Sequence, residues 1–163
     1  MKKKICLIFS IILLIFINSC AGYEPIFGSK NLIFKIEEHS IKGNKELGNK
    51  IYSKLNNISK SNKSNQNAQT ISVIINASKD KKATSKNSAG KILEYKITLT
   101  VVVAVNNFLT DNTILNQTFV SSSSYKVQTQ YFDTIELENQ TKENLINRIY
   151  QDLLIQLSQK IIT

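Results

Sequence analysis

Leu93-Glu94-Tyr95-Lys96-Ile97-Thr98-Leu99-Thr100-Val101-Val102-Val103-Ala104-Val105 is the stretch on which the fold turns. Leu93, Tyr95, Ile97, Leu99, Val101, Val103 and Val105 recur at a period of two, while Glu94, Lys96, Thr98 and Thr100 fill the alternate positions. Side chains alternate across a strand, so this pattern predicts a long strand with one face on a core and the other in a polar environment. After it, Asn106 to Asn112 holds the turn residues Asn107, Asp111 and Asn112, and Ile114 to Val127 reads as the return strand. The Ser121 to Ser124 run inside that return strand is unusual. Serine is a mediocre strand former, which places the run at an edge or against a polar surface.

Upstream, Ile71, Val73, Ile75 and Ala77 alternate as a second strand, and Leu32, Phe34 and Ile36 alternate with Ile33, Lys35 and Glu37 as a shorter one. Between them the period changes. Leu47, Ile51, Leu55 and Ile58 recur at helical spacing from Asn44 onward, giving one apolar stripe. Ser59 to Asn67 is polar and reads as a solvated loop. Lys79 to Lys91, with Lys79, Lys81, Lys82, Lys86 and Lys91, reads as a basic loop with Gly90 near its end. At the other end of the chain, Asp133-Thr134-Ile135-Glu136 has capping-box spacing. The helix it announces is firm from about Lys142 and carries Leu145, Ile149, Leu153, Leu157 and Ile161, widened by Ile146, Tyr150 and Leu154.

The order is therefore β-α-β-β-β-α. The first helix is long enough to be a crossover between parallel strands, and the later strands can form a meander. The expected fold class is α+β, a two-layer sandwich of a four-stranded mixed β-sheet with two α-helices on one face. Residues 31–163 form one such domain in this reading.

The N-terminus adds a second kind of information. Lys2, Lys3 and Lys4 precede an unbroken apolar or small stretch from Ile5 to Ile17. That stretch is shorter than the ~20 residues a spanning helix needs, so it reads as a signal segment. Ile17-Asn18-Ser19-Cys20 closes it and resembles the lipobox of bacterial lipoproteins, in which the cysteine is acylated. Residues 1–19 are then a lipoprotein signal peptide, and residues 20–30 a lipidated N-terminus and short linker. Pro25, the only proline, lies in that linker. Ala21 after Cys20 points to the outer membrane by analogy with lipoprotein sorting rules.

Composition narrows the partners. Removing the three signal lysines lowers the formal charge from +9 to +6. The remaining positive charge is lysine apart from Arg148, the only arginine. Bidentate readout of bases relies on arginine, so no nucleic acid is expected, while lysine point charges suit lipid phosphate. The two cysteines, Cys6 and Cys20, leave none for a disulfide, so the exported domain must be held by its core. His39 is the sole histidine, in a polar run before the first helix. No clustered metal ligands, phosphate loop or Gly-x-Ser-x-Gly elbow is visible. Hence no catalytic residues, no metal and no cofactor are expected beyond a covalent lipid on Cys20, and the chain reads as a non-enzyme.

Cys20-Ala21-Gly22-Tyr23-Glu24-Pro25 is similar to the Cys-Gly-Tyr-x-Pro opening of the LptE family of LPS-assembly lipoproteins. Ala89-Gly90 followed by Glu94 to Val101 resembles that family's long strand, and Tyr150 with Leu153, Leu157 and Ile161 resembles its closing helix. The resemblance implies a lipid-anchored protein on the periplasmic side of the outer membrane. It would plug the lumen of an LptD-like outer-membrane β-barrel and assist insertion of lipopolysaccharide into the outer leaflet. Such a lumen is polar, which the Thr98 and Thr100 face and the serine run would suit. The resemblance also implies lipopolysaccharide contacts at Lys86 and Lys91. It departs before the last helix, where Glu136 and Glu138 stand in place of a basic residue. The alternative is a periplasm-facing lipoprotein adaptor of another envelope transport complex, which co-purification would separate from the first reading.

Overall fold

A computed structural model describes residues 32–62 and 64–161. The expectations for residues 1–30, including acylation of Cys20, lie outside the described residues. Six elements follow in order: β1 (Phe34–Gly43), α1 (Lys45–Ser61), β2 (Gln69–Lys86), β3 (Ile92–Asn107), β4 (Thr113–Lys126) and α2 (Tyr131–Ile161). The sheet order is β1-β2-β3-β4, with β1 parallel to β2 and the other neighbours antiparallel. This is the α+β architecture and element order that periodicity implies. Parallel neighbours need a crossover, which α1 supplies, whereas tight turns suffice for the meander.

The β1–α1 junction shows why the chain turns where it does. Gly43 takes φ 71°, and a Cβ there would lie 2.2 Å from the Ala77 carbonyl oxygen. Only glycine meets both demands. The next residue, Asn44, donates its N–H to that same carbonyl at 2.7 Å and caps α1 by accepting from Leu47 N–H at 3.0 Å. Five residues on, a Cβ at Gly48 would meet Ile41 Cγ2 at 2.4 Å, so the first turn of α1 lies directly on β1.

The core is one cluster between the sheet and the two helices. Phe34, Ile71, Ile75, Ile97, Val101 and Val103 from the sheet and Ile51, Ile149 and Leu153 from the helices are all fully enclosed. At about 25 cal/mol per Å² of apolar surface removed from water, this packing is what holds the domain. The apolar row of β3 leaves the core at its start, where Tyr95 is half-buried and Leu93 is 44% exposed.

Three local expectations are corrected, and one, for His39, is given its place. The Lys79 to Lys91 basic loop is mostly strand: Lys79 pairs with Leu99, Lys81 with Ile97 and Lys86 with Ile92. The connection shrinks to the turn at Asn87–Lys91, where Gly90 has φ 80° and Asn87 Oδ1 accepts from the N–H groups of Ala89 and Lys91. Backbone pairing with β3 here overrides a composition that reads as loop. Ser59 is not in a solvated loop but in α1, 5% exposed, where its Oγ accepts from Ile36 N–H at 2.9 Å beside the bulge in β1. His39 lies in β1, stacked on Tyr52 of α1 at 3.9 Å between ring centroids. Finally, α2 begins at Tyr131 and bypasses the expected capping box. Thr134 is already inside the helix, accepting from Gln128 N–H at 2.9 Å, and Asp133 sits in the first turn, where its charge suits the helix dipole.

Candidate functional site

Alternation sends Lys81, Tyr95 and Tyr125 toward the helix side of the sheet, past the end of the apolar core. Tyr95 and Tyr125 are register partners on β3 and β4, with ring centroids 5.8 Å apart. Lys81 Nζ lies 4.3 Å from the Tyr95 centroid and 5.6 Å from that of Tyr125. From above, α2 lowers Glu138, whose Oε2 is 2.5 Å from Lys81 Nζ and accepts from the Tyr125 hydroxyl at 2.8 Å. Lys142, one turn further along α2, stands 3.8 Å from the other carboxylate oxygen.

Glu138 is only 13% exposed against 34% for Lys81, so its charge depends on these partners. Burial opposes ionisation of Glu138 most strongly. The hydrogen bonds from Lys81 and Tyr125 and the charges of Lys81 and Lys142 outweigh it, holding the carboxyl below the usual range. Lys81 likewise loses to burial but gains more from Glu138 and Tyr125, so its ammonium is held above its ordinary value. Burial pushes the Tyr125 phenol up, with Lys81 opposing. All these shifts favour a charged pair and a neutral phenol across the working pH range. The group is a fastening between α2 and strands β2 and β4.

Beside it opens a cleft of about 660 Å³, lined by Lys81, Lys91, Tyr95, Gln128, Tyr131 and Glu138 among others. Of the two lysines expected to meet lipopolysaccharide, Lys91 reaches this cleft. Lys86 ends β2 opposite Ile92 and stays outside it, exposed. Glu136 and Glu138, adjacent in expectation, part company. Glu136 is on the exposed side of α2, accepting from Gln140 Nε2 at 3.2 Å, while Glu138 belongs to the cluster. The cluster itself is absent from the sequence reading, although a signal existed. Lys81 shares the parity of Ile75 and Ala77, Tyr125 that of Leu115 and Phe119, and Glu138 lies two helical turns before Leu145.

The opposite face of the sheet is a second surface. Its cross-strand rows run Ile74–Ala104–Asn116, Asn76–Val102–Thr118, Ser78–Thr100–Val120, Asp80–Thr98–Ser122 and Lys82–Lys96–Ser124. The rows grade from apolar and amide groups through hydroxyls to lysines. Neither helix covers them. The serine run lies on β4, an edge strand, as its composition implies. Among the described residues no cluster of His, Cys, Asp or Glu could hold a metal, and no helix is long and apolar enough to cross a membrane.

No protein-family model matches the chain, and no curated protein matches it significantly by sequence. Solved structures do. Uncharacterized lipoprotein B from Nitrosomonas europaea aligns over 78% of this chain and 84% of its own, with TM-score 0.55 and 16% identity. A protein from Caulobacter crescentus CB15 described as a lipoprotein aligns over 77% and 90%, with TM-score 0.52 and 9% identity. The rare lipoprotein B from Shewanella oneidensis aligns over 73% and 91% at TM-score 0.47 and 18% identity. At such identities the first two likenesses are likenesses of fold: this chain has the architecture of structures described as bacterial lipoproteins.

Proposed function

We propose that the chain is a non-catalytic lipoprotein of the outer membrane, anchored through Cys20. In this reading it plugs an LptD-like β-barrel and assists insertion of lipopolysaccharide into the outer leaflet. The observation that carries the reading is the uncovered sheet face. A protein that keeps most of its apolar surface between sheet and helices, and turns outward rows in which hydroxyl and amide groups outnumber apolar ones, suits the polar lumen of a large barrel. Support for the lipoprotein class comes from the Ile17-Asn18-Ser19-Cys20 lipobox and from the shared fold. The lysines at one end, Lys82, Lys86, Lys91 and Lys96, supply point charges for lipid phosphates, with Lys86 and Lys91 as the contacts proposed for lipopolysaccharide.

The test is purification of the full-length chain from detergent-solubilised envelopes. A large β-barrel should be the principal partner, and mass spectrometry should find Cys20 acylated. Lipopolysaccharide capture should weaken with salt and in the Lys86→Glu, Lys91→Glu double variant, because exposed charges are screened beyond a Debye length of ~8 Å at physiological ionic strength. A different transport complex as principal partner would replace the barrel reading with that of a periplasm-facing adaptor.

A further inference from the structure

Two exposed apolar pairs stand at opposite ends of the domain. Tyr131 and Phe132, 80% and 73% exposed, open α2 beside the Asn87–Lys91 turn, where Tyr131 and Lys91 line the same cleft. Phe108 and Leu109, 44% and 82% exposed, form the tip of the turn between β3 and β4, outside the core. That second tip is firmly built. Asn107 Oδ1 accepts from the N–H groups of Leu109 and Thr110, and Asn107 N–H donates to the Asn112 carbonyl at 2.8 Å. Turns favour Asn, Asp, Gly and Ser, and Asn107, Asp111 and Asn112 supply that chemistry here. Phe108 and Leu109 at the apex add nothing to the turn.

The two ends differ in their distance from the start of the folded chain. The Ile33 carbonyl accepts from Gln69 N–H at 3.2 Å, and the Leu32 carbonyl from Asn62 Nδ2 at 2.7 Å. The chain therefore enters the domain beside the last turn of α1 and the first residues of β2. Phe108 N–H donates to the Thr70 carbonyl, which puts the tip two strand spacings, about 10 Å, from that entry. The Tyr131 end lies a full length of β2 away, roughly 55 Å for its 18 residues. Cys20 precedes Leu32 by 32 − 20 = 12 residues, a reach of at most about 40 Å. A lipid on Cys20 thus favours the Phe108 tip over the far pair as the part next to a bilayer. Charge agrees. Lys60 and Lys160, in the last turns of α1 and α2, are exposed at this same end, and Asp111 is the carboxylate of the turn itself.

We propose that the Phe108–Leu109 tip is a membrane contact. The two side chains enter the interface of the leaflet that holds the Cys20 lipid, with Lys60 and Lys160 at the headgroup phosphates. Acyl chains keep the protein on the membrane, and the tip sets how the domain stands on it. This rests on the reading of Cys20 as the anchor. It concerns the lipoprotein on its leaflet before a barrel takes it up, so it adds to the lumen reading and leaves it intact.

The sequence contains no tryptophan, so a single introduced one reports alone. The full-length chain, purified from envelopes in detergent, is reconstituted into vesicles of phosphatidylethanolamine and phosphatidylglycerol with brominated acyl chains. Flotation with the vesicles reads the anchor, and quenching by bromine reads the tip. Leu109→Trp should be quenched at least threefold more than Phe132→Trp at the far end. Phe108→Trp is the second reporter should Leu109→Trp fail to fold, and adding Leu109→Glu to it should at least halve its quenching. Floating protein in which neither tip reporter is quenched more than Phe132→Trp would overturn the inference and leave the anchor standing. Protein that does not float would remove the anchor reading, and the membrane contact with it.

Discussion

The two halves of the β2–β3 ribbon share one antiparallel register from Ile71 to Ala83 and differ in what β2 sends inward. In the first, Val73, Ile75 and Ala77 face Val105, Val103 and Val101, and these six side chains and that of Ile71 are buried. In the second, the inward positions of β2 pass to Lys79 and Lys81 opposite the buried Leu99 and Ile97, Tyr95 follows beyond them, and a single carboxylate on α2 holds Lys81. The difference teaches that backbone pairing sets how far a strand runs. What lies above it sets which side chains that strand can carry. Packing closes one half, and charge-assisted hydrogen bonds close the other.

The comparison breaks first in the apolar core, which Leu99 carries from the first half into the second. Leu99→Ala or Leu153→Ala should each cost about 2–5 kcal/mol, since both side chains are essentially unexposed and truncation leaves a cavity. Against a total of roughly 5–15 kcal/mol, either change should visibly lower the denaturant midpoint at unchanged slope. A cost below that of the polar-half variants would mean the halves are misassigned.

Glu138→Gln should cost less, about 1–2 kcal/mol, because the lost pair includes a lysine still partly in water. Its signature is pH. The folded-state value of Glu138 is depressed, so its contribution is complete above the ordinary glutamate range near ~4.3 and fades as pH falls through the depressed folded value. The stability gap between wild type and Glu138→Gln should therefore be constant at neutral pH and close as pH falls below the ordinary glutamate range. A gap that persists in acid would show that the carboxylate charge is not what fastens α2. Smallest of all, Thr98→Ala on the uncovered face should change stability by no more than ~0.5 kcal/mol, read from the same melts.

Where burial is one-sided, the sequence announces it. The alternation of Leu93 to Val105 and the stripe of Leu145 to Leu157 yield β3, α2 and the meander, because a core imposes period two on a strand and period 3.6 on a helix. Legibility fails where partners come from distant segments. Lys79 to Lys86 looks like a loop because nothing local shows that β3 continues alongside it. Ser59 looks solvated because its hydrogen-bond partner, Ile36, is more than twenty residues upstream. The Lys81–Tyr125–Glu138 group joins three elements, each carrying one polar residue of unremarkable local context. Of the lysines expected from family resemblance, the structure brings Lys91 into the cleft and leaves Lys86 at the rim of the sheet.

The parallel pairing of β1 with β2 carries a consequence in time. Phe34 meets Gln69 and Gly43 meets Ala77, across the whole of α1, whereas the two later hairpins close through turns of a few residues. Loop closure is entropically costlier for the distant pair, and rates follow such separations. The expected order of folding is the β2–β3–β4 meander with α2 first and β1 last, so amides of β1 should gain protection latest in pulse-labelled hydrogen exchange. Early protection of β1 would contradict that order. The strand synthesised first is then the one that completes the sheet, and the protein closes backwards, toward its own N-terminal end.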